Sequence, residues 1–330
     1  MKVRRLLSWA ARIALGLVLL VALVLAGFRT RSWFRETEYR GAGPRSGSFV
    51  STPSGEFRYH ERGAPGGLPV VFIGGTMAPS DTFVPLMDAL CDARLRCLAI
   101  DLPPSGYSER PADGNYGREQ QAARIVSFVR ALRLNQPLLV GHSFGAGPTV
   151  ETAMRYPDEI RAFALLAGAL GLGAGPPPGA VRALLAAPPL RTAVASATLA
   201  NPWVLRQSLR SFTENDAVVT DELVERFTAP TRVSGTAEAA GNWARTALFA
   251  DESASLSGQR SSYRNYERPV LLVWGEKDSA TPLAQGEELR GLLPNGTLTV
   301  IRGVGHFPHV EAQTDVVAAL RPFLARRDAE

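Results

Sequence analysis

The chain alternates short apolar runs with segments of helical periodicity, and no other feature limits its possible folds more. The runs are apolar at successive positions, which is typical of strands buried on both faces of a parallel sheet. The segments between them are long enough for helical crossovers, so the sequence predicts a doubly wound, mostly parallel α/β sheet. The predicted parallel strands are residues 69–73, 96–101, 137–140, 163–167, 269–274 and 297–301. The predicted helices around them are residues 81–91, 117–132, 144–156, 282–293 and 310–326.

Two segments fall outside this alternation. Short strand signals at residues 49–52 and 57–61 flank a Pro-Ser-Gly turn and predict a hairpin before the sheet. After Ala167 the alternation stops at a Gly- and Pro-rich hinge and is replaced by a long helical stretch. We therefore expect a helical cap at residues 171–262, inserted into a core formed by residues 41–170 and 263–330.

The positive charge of the chain lies in its N-terminal segment. The formal net charge is +5, yet residues 1–40 hold eight Lys or Arg against two Glu, which leaves −1 for the remainder. The larger part therefore gives no charge argument for nucleic acid as a partner.

The same segment contains an uncharged apolar stretch at residues 13–28 between basic flanks. Residues 9–28, within the N-terminal segment 1–40, are expected to interact with a membrane. They form either a retained transmembrane helix or a cleaved secretory signal. A retained anchor with its N-terminus in the cytoplasm places the body outside, in the periplasm of a bacterium. A cleaved signal predicts a secreted protein.

Two cysteines, Cys91 and Cys97, stand at a predicted helix end and a predicted strand start. They are placed either to form a disulfide, as an exported protein would allow, or to remain two buried thiols.

The strongest chemical signal is the sequence GHSFG at residues 141–145, between a predicted strand and a predicted helix. A serine at such a turn is lifted above the sheet, and the flanking glycines relieve the crowding. Its hydroxyl also stands at a helix N-terminus, where backbone N–H groups stabilise a developing negative charge. Ser143 is therefore the predicted nucleophile.

A serine nucleophile needs a base and an acid that orients the base. Of the four histidines, His306 follows the last predicted strand in a Gly-flanked loop and is the predicted base, while His309 is expected at a helix start. The acid is expected after the preceding strand, where Asp278 is preferred over Glu276 because its shorter carboxylate can meet the imidazole.

The oxyanion of an acyl transfer requires two N–H donors. The backbone N–H groups of Thr76, in the glycine loop after the first parallel strand, and of Phe144 are the predicted pair. No cofactor or metal site is expected, since phosphate-loop, dinucleotide and zinc-ligand patterns are absent from the sequence.

These residues give the chain a resemblance to the α/β-hydrolase superfamily over residues 49–324. The resemblance rests on GHSFG (141–145), DLPPSGYSERP (101–111), WGEKD (274–278) and GVGHFPHVE (303–311). It implies a Ser143, Asp278, His306 triad beneath a mobile cap, as in capped esterases and carbon–carbon bond hydrolases. The chain departs from its relatives at Gly74, where they commonly have His, and at Pro104, where they commonly have Gly.

The expected activity is that of a carboxylesterase-like serine hydrolase acting on a small, largely apolar ester or related carbonyl compound through an acyl-enzyme. The alternatives are carbon–carbon bond hydrolysis, acyl transfer, cofactor-free peroxidase chemistry, or a ligand-binding receptor without catalysis. Most cap aromatics are expected in the core of the cap itself, and two facing the sheet would make the pocket apolar. These aromatics are Trp203, Phe212, Phe227, Trp243 and Phe249.

Overall fold

A computed structural model describes residues 2–38, 46–172 and 175–325. The predicted domain boundary at residue 40, the linker positions 41–45, hinge residues 173–174 and the chain end 326–330 lie outside the described residues.

The core is an eight-stranded sheet with the order β1-β2-β4-β3-β5-β6-β7-β8. β1 and β2 form the predicted hairpin, β2 pairs antiparallel with β4, and all other neighbours are parallel. The predicted mostly parallel α/β sheet is therefore confirmed. The strands are β1 (Ser48–Thr52), β2 (Gly55–Gly63), β3 (Leu68–Ile73), β4 (Leu95–Ile100), β5 (Leu138–His142), β6 (Ala162–Leu166), β7 (Val270–Gly275) and β8 (Gly296–Ile301).

Helices connect the strands and cover both faces of the sheet. The predicted helix 310–326 is divided at Ala312, whose φ of −141° and ψ of 56° are not helical, into two helices. The helices are α1 (Lys2–Glu38), α2 (Val84–Leu90), α3 (Arg118–Ala131), α4 (Ala146–Arg155), α5 (Gly179–Ala186), α6 (Pro188–Ala197), α7 (Pro202–Phe212), α8 (Asp221–Thr228), α9 (Thr236–Trp243), α10 (Arg260–Arg264), α11 (Leu283–Leu292), α12 (Pro308–Glu311) and α13 (Gln313–Leu324).

The apolar strand residues divide between two buried clusters, one on each face of the sheet. In β3, Val71 and Ile73 belong to one cluster, and Val70 and Phe72 belong to the other. Successive side chains of a strand point to opposite faces, so runs that are apolar at every position bury both faces. Because β3 to β8 run parallel, their carboxyl ends lie at one rim of the sheet.

The helices α5 to α9 lie between β6 and β7 in the chain, where the inserted cap is expected. Smaller apolar clusters pack the segment, including one around Leu209, Leu223 and Phe227. The division of the chain into core and cap at residues 171–262 remains a prediction.

The N-terminal helix α1 contains a stretch, Arg12–Glu36, that is long and apolar enough to cross a membrane, with a mean hydropathy of 2.3. Its most apolar window is exposed to solvent along its whole length. Near its C-terminal end, Ser32 and Glu36 are buried against the cap segment.

A disulfide links Cys91, directly after α2, to Cys97 in β4, with the two Cα atoms 6.2 Å apart. Of the two arrangements left open by the sequence, the structure has the bridge.

Candidate active site

Ser143 lies at the sharp turn between β5 and α4. Its φ of 51° falls in the left-handed region, which is unfavourable for a side-chain-bearing residue. The turn is tolerated because its neighbours are glycines. A Cβ at Gly141 would lie 2.4 Å from Thr149 Oγ1, and one at Gly145 would lie 2.5 Å from the carbonyl oxygen of Gly74. The predicted strained turn is thus present, with the serine hydroxyl above the rim of the sheet.

The structure brings the three predicted side chains together. His306, in the loop between β8 and α12, places Nε2 2.8 Å from Ser143 Oγ. Its Nδ1 lies 2.9 Å from Oδ2 of Asp278, which follows β7. All three residues are buried. Glu276, the alternative acid, is directed elsewhere and accepts the Gly303 N–H at 3.0 Å.

The Asp278 carboxylate is fixed by its own loop. Oδ1 accepts the backbone N–H groups of Ala280 at 2.9 Å and Thr281 at 2.8 Å, and Oδ2 lies 2.7 Å from Thr281 Oγ1. An aspartate that bonds the backbone two and three residues ahead is a common turn, and it leaves an oxygen facing the imidazole. Sequence analysis missed Thr281, although a threonine three residues after Asp278 is a signal of such a turn.

The predicted oxyanion donors, Thr76 and Phe144, both border the nucleophile. A Cβ at Gly75 would lie 2.7 Å from Ser143 Cβ, so the glycine loop passes directly beside the serine. The Thr76 N–H has no hydrogen-bond partner among the residues that the structure describes. Phe144 stands in the first turn after the strand, where N–H groups lack earlier helical acceptors. Thr76 and Phe144 therefore both lie next to Ser143 in the site.

A pocket of about 490 Å³ opens over these residues. Its walls come from the core loops and from the cap, and they are mainly apolar. None of its lining residues in the described part of the chain is Lys, Arg, Asp or Glu. From the cap, the lining residues are Thr198, Leu199, Val204, Leu205, Ser208, Leu209, Phe212, Phe227 and Leu248.

The five cap aromatics differ from expectation in part. Phe212 and Phe227 line the pocket, which fulfils the condition for an apolar site. Trp243 is buried beside Phe144, with ring centroids 5.1 Å apart. Most were expected in the core of the cap, and that is wrong: Trp203 is 68% exposed and Phe249 is 41% exposed.

Residues 69–313 match the profile of the alpha/beta hydrolase fold family, which covers most of the chain. The chain is an α/β-hydrolase.

Its relatives include enzymes of more than one reaction type. It is 29% identical over 71% of its length to a 2-hydroxymuconate semialdehyde hydrolase of Pseudomonas putida, covering 78% of that protein. A meta-cleavage product hydrolase of Pseudomonas fluorescens IP01 has a similar structure, with a TM-score of 0.68 and 21% identity over 84% of this chain and 97% of the other. A bacterial membrane phospholipase A gives a TM-score of 0.64 and 23% identity over 95% and 97%.

The histidine that precedes Ser143 supports the loop of this hydrolase that carries His306. His142 Nε2 donates a hydrogen bond to the backbone carbonyl of His306 at 3.0 Å. Burial lowers the pKa of His142 well below its ordinary value, which keeps the ring neutral. Its role as a support could not be deduced from the sequence.

His309 lies in the short helix α12 and is buried. Its ring stacks on Phe83, with centroids 4.8 Å apart, and meets His142 edge to face at 4.5 Å. Burial lowers its pKa to about 3, so His309 is a neutral packing residue at neutral pH. His309 lies at the start of a helix, as the sequence predicts.

The end of α7 is bonded through the backbone to the loop that carries His306. The N–H of His306 donates to the Phe212 carbonyl at 2.8 Å, at the end of α7. Glu311 joins the same two segments, accepting the N–H groups of Glu214 at 2.8 Å and Phe307 at 3.1 Å. A shift of α7 would therefore shift the imidazole.

Within the part of the chain described by the structure, no group of three or more His, Cys, Asp or Glu is arranged to hold a metal ion.

Proposed function

We propose that this hydrolase is a membrane-anchored serine esterase that cleaves a small, largely apolar ester. The observation that supports this most directly is the buried hydrogen-bond relay from Ser143 Oγ through the His306 ring to Asp278, with distances of 2.8 Å and 2.9 Å. Such a relay lets a neutral hydroxyl attack a carbonyl, since the imidazole takes the proton and the carboxylate stabilises the resulting charge.

In the proposed mechanism, Ser143 Oγ attacks the ester carbonyl while its proton passes to His306 Nε2. The N–H groups of Thr76 and Phe144 receive the oxyanion of the tetrahedral intermediate. His306 then donates the proton to the leaving alkoxide, and the acyl group stays on Ser143. Water then attacks the carbonyl of this acyl-enzyme, and His306 again acts as the base that takes the proton. The carboxylic acid leaves, and His306 returns the proton to Ser143 Oγ.

The pocket favours a neutral substrate. A carboxylate bound in an apolar cavity needs a cation or several hydrogen-bond donors. No described residue lining the 490 Å³ pocket is cationic. Arg118 borders a neighbouring small cavity, which shares Gly75 and Phe144 with the pocket, and its guanidinium donates to the Leu170 carbonyl at 2.6 Å. These features support an uncharged ester as the substrate.

Carbon–carbon bond hydrolysis is the second candidate. The likeness to 2-hydroxymuconate semialdehyde hydrolase favours it. That name designates a carboxylate substrate, and the same carboxylate would have to enter the uncharged pocket described above. The two candidates therefore differ in the charge that the site must accept.

Two observations support membrane anchoring with the body on the oxidising side. The stretch Arg12–Glu36 is long and apolar enough to span a bilayer. The disulfide between Cys91 and Cys97 is of a kind that persists outside the reducing cytosol.

A fluorophosphonate probe tests the proposal, because it labels only an activated serine. We expect labelling of the full-length protein, its loss in Ser143→Ala, and hydrolysis of short aryl esters that falls by about 10³-fold or more in that variant. Cleavage of a dienoate ring-fission product in preference to every ester would instead establish the carbon–carbon hydrolase. Folded protein with neither labelling nor turnover would make it a binding protein.

A further inference from the structure

The C-terminal end of α1 forms part of the cap. The helix is unbroken over Lys2–Glu38 and packs against α6. Along its last turns, one face is turned toward the cap, since Ser32 is 1% and Glu36 is 4% exposed, while the neighbouring Trp33 and Phe34 face outward. The apolar helix and the cap are therefore joined by continuous, packed backbone.

Hydrogen bonds hold this end of α1 in place. The Glu36 carboxylate accepts the N–H groups of Gly235 at 3.0 Å and Ala237 at 3.1 Å, at the start of α9. The Arg35 guanidinium donates to the Ala200 carbonyl at 2.8 Å, just before α7. A buried carboxylate is costly to desolvate unless such donors satisfy it, and a helix N-terminus stabilises its charge. We refer to these contacts of Arg35 and Glu36 as the clasp.

The clasp places the cap close to the end of the apolar stretch. Glu36 lies eight positions after Phe28, which at a rise of 1.5 Å per residue is about 12 Å along the helix. The interfacial layer on one side of a bilayer is roughly 5 to 8 Å thick. A cap fixed at this distance by a rigid helix lies next to the lipid headgroups.

Exposed aromatic side chains are found at this end of the molecule. Trp33 and Phe34 are 48% and 57% exposed, and Trp203, three residues beyond the clasped Ala200, is 68% exposed. Trp is enriched at membrane interfaces, where its ring is apolar and its N–H remains hydrated. Trp203 directly precedes Val204, which lines the substrate pocket. The aromatic surface formed by Trp33, Phe34 and Trp203 thus adjoins a wall of the pocket.

We propose that this aromatic surface lies in the bilayer interface and that the hydrolase takes an ester dissolved in the membrane, an uncharged amphiphile, directly from the lipid. This inference rests on the proposed function, namely membrane anchoring and ester hydrolysis. A lipid surface is the occupant because Trp33 and Phe34 follow the exposed apolar stretch on the same helix, and the Arg35 to Ala200 hydrogen bond ties that helix to the segment just before the exposed Trp203.

Site-directed fluorescence tests the surface. Cys91 and Cys97 are the only cysteines of the sequence and are bonded to each other, so an introduced cysteine is labelled specifically. Trp203→Cys and Val300→Cys, the latter 40% exposed on β8, are labelled with a polarity-sensitive dye in the full-length protein. Both are reconstituted into phosphatidylcholine–phosphatidylglycerol vesicles containing brominated phosphatidylcholine. We expect loss of emission at residue 203 and none at residue 300.

Activity tests the route of the substrate. Full-length Trp203→Ser and the control Val300→Ser are assayed with a soluble short-chain ester and with a long-chain ester embedded in the same vesicles. We expect Trp203→Ser to lower the rate on the embedded ester roughly fivefold, as the loss of one interfacial contact predicts, with the soluble ester unaffected. Val300→Ser should change neither rate.

Each failure has a separate signature. Protein that does not float with the vesicles refutes the anchoring on which the inference rests. Absence of fluorophosphonate labelling at Ser143 refutes the esterase, while the dye at residue 203 still reports whether the surface contacts lipid. Vesicle-bound protein with unquenched dye at residue 203, or equal loss on both esters, overturns the aromatic surface as a lipid contact. Unquenched dye with concentration-dependent energy transfer between labelled molecules assigns the surface to a second copy of the chain.

Discussion

At the scale of single residues, the proposed chemistry depends on how firmly Asp278 is held. Its carboxylate faces the His306 ring while its other bonds go to the backbone of Ala280 and to Thr281. The donors on both sides keep the carboxylate in one orientation. The imidazole is thereby fixed in the tautomer that presents an unprotonated Nε2 to the serine.

Asp278→Asn tests this role. The amide is similar in shape but can present its NH₂ group to His306, which favours the wrong tautomer. We expect kcat on a short ester to fall by about 10⁴-fold, with a much smaller change in KM. Glu276→Gln is the matched control, because this carboxylate lies on the same loop and, among the described residues, bonds only the Gly303 N–H of the neighbouring turn. Equal losses in the two variants would remove Asp278 from the relay.

The buried histidines predict acid sensitivity. Burial holds the pKa of His309 at about 3 and lowers the pKa of His142 well below its ordinary value. In the unfolded chain both return to about 6.5. The unfolded state therefore binds more protons below that pH, so the free energy of unfolding falls as the pH falls from about 6.5, by up to about 1.4 kcal/mol per pH unit for each ring.

His309→Phe retains a ring to stack on Phe83 and removes one of these titrations. We expect its free energy of unfolding to fall with a slope about 1.4 kcal/mol per pH unit shallower than that of the wild type between pH 6 and 4. Urea denaturation at a series of pH values measures this slope. At pH 8 the rings of His142 and His309 are both neutral, so the difference in free energy of unfolding between His309→Phe and the wild type at that pH gives the effect of packing alone. Parallel curves across the whole range would contradict the assignment.

At the scale of elements, the site forms because parallel strands end at one rim. The turn after β5 and the loops after β7 and β8 supply Ser143, Asp278 and His306. Strand ends can be located from apolar runs, so these side chains could be predicted from the sequence. The His142 bond and the clasp of Glu36 could not, since each depends on contacts between distant parts of the chain; Glu36 and Ala237 are 201 residues apart.

The glycine loop after β3 gives a prediction at this scale. A Cβ at Gly75 would lie 2.7 Å from Ser143 Cβ and 3.2 Å from its Oγ. Gly75→Ala should therefore displace the loop, move the Thr76 N–H away from the oxyanion and lower kcat by about 10²- to 10³-fold. Burst kinetics with an aryl ester measure the acylation step.

Gly291→Ala in α11 is the matched control for that substitution. Apart from its chain neighbours and the backbone of its own helix, no described atom lies within 4 Å of the position its Cβ would take. We expect unchanged kcat and a melting temperature that is equal or slightly higher, because alanine is favoured over glycine in a helix. Full activity of Gly75→Ala would show that the glycine loop does not support the oxyanion.

At the scale of the whole molecule, the apolar helix α1, the cap segment and the loop that carries His306 are connected in series. Glu36 bonds the start of α9, α9 packs on α6, and the end of α7 bonds the backbone of His306. The sequence predicts an N-terminal anchor and a cap as separate segments. Their contact was not predictable, because residues 29–36 look like a polar flank until their buried face is known.

Two truncations separate anchoring from cap support. A chain beginning at residue 28 lacks the apolar stretch but retains Ser32 and Glu36. A chain beginning at residue 41 lacks the apolar stretch and also lacks these two residues. Losing the Glu36 carboxylate leaves the N–H groups of Gly235 and Ala237 without their acceptor, comparable to removing a helix cap at about 1 to 2 kcal/mol. We expect cleavage of the cap by a protease to be roughly tenfold faster in the shorter chain, together with a raised KM for a soluble ester.

The longer truncated chain should match the full-length protein in both measurements, since its clasp is intact. Full-length Glu36→Gln should fall between the two, because the amide oxygen can accept one of the two bonds. Equal protease sensitivity of both truncations would mean that the clasp does not stabilise the cap.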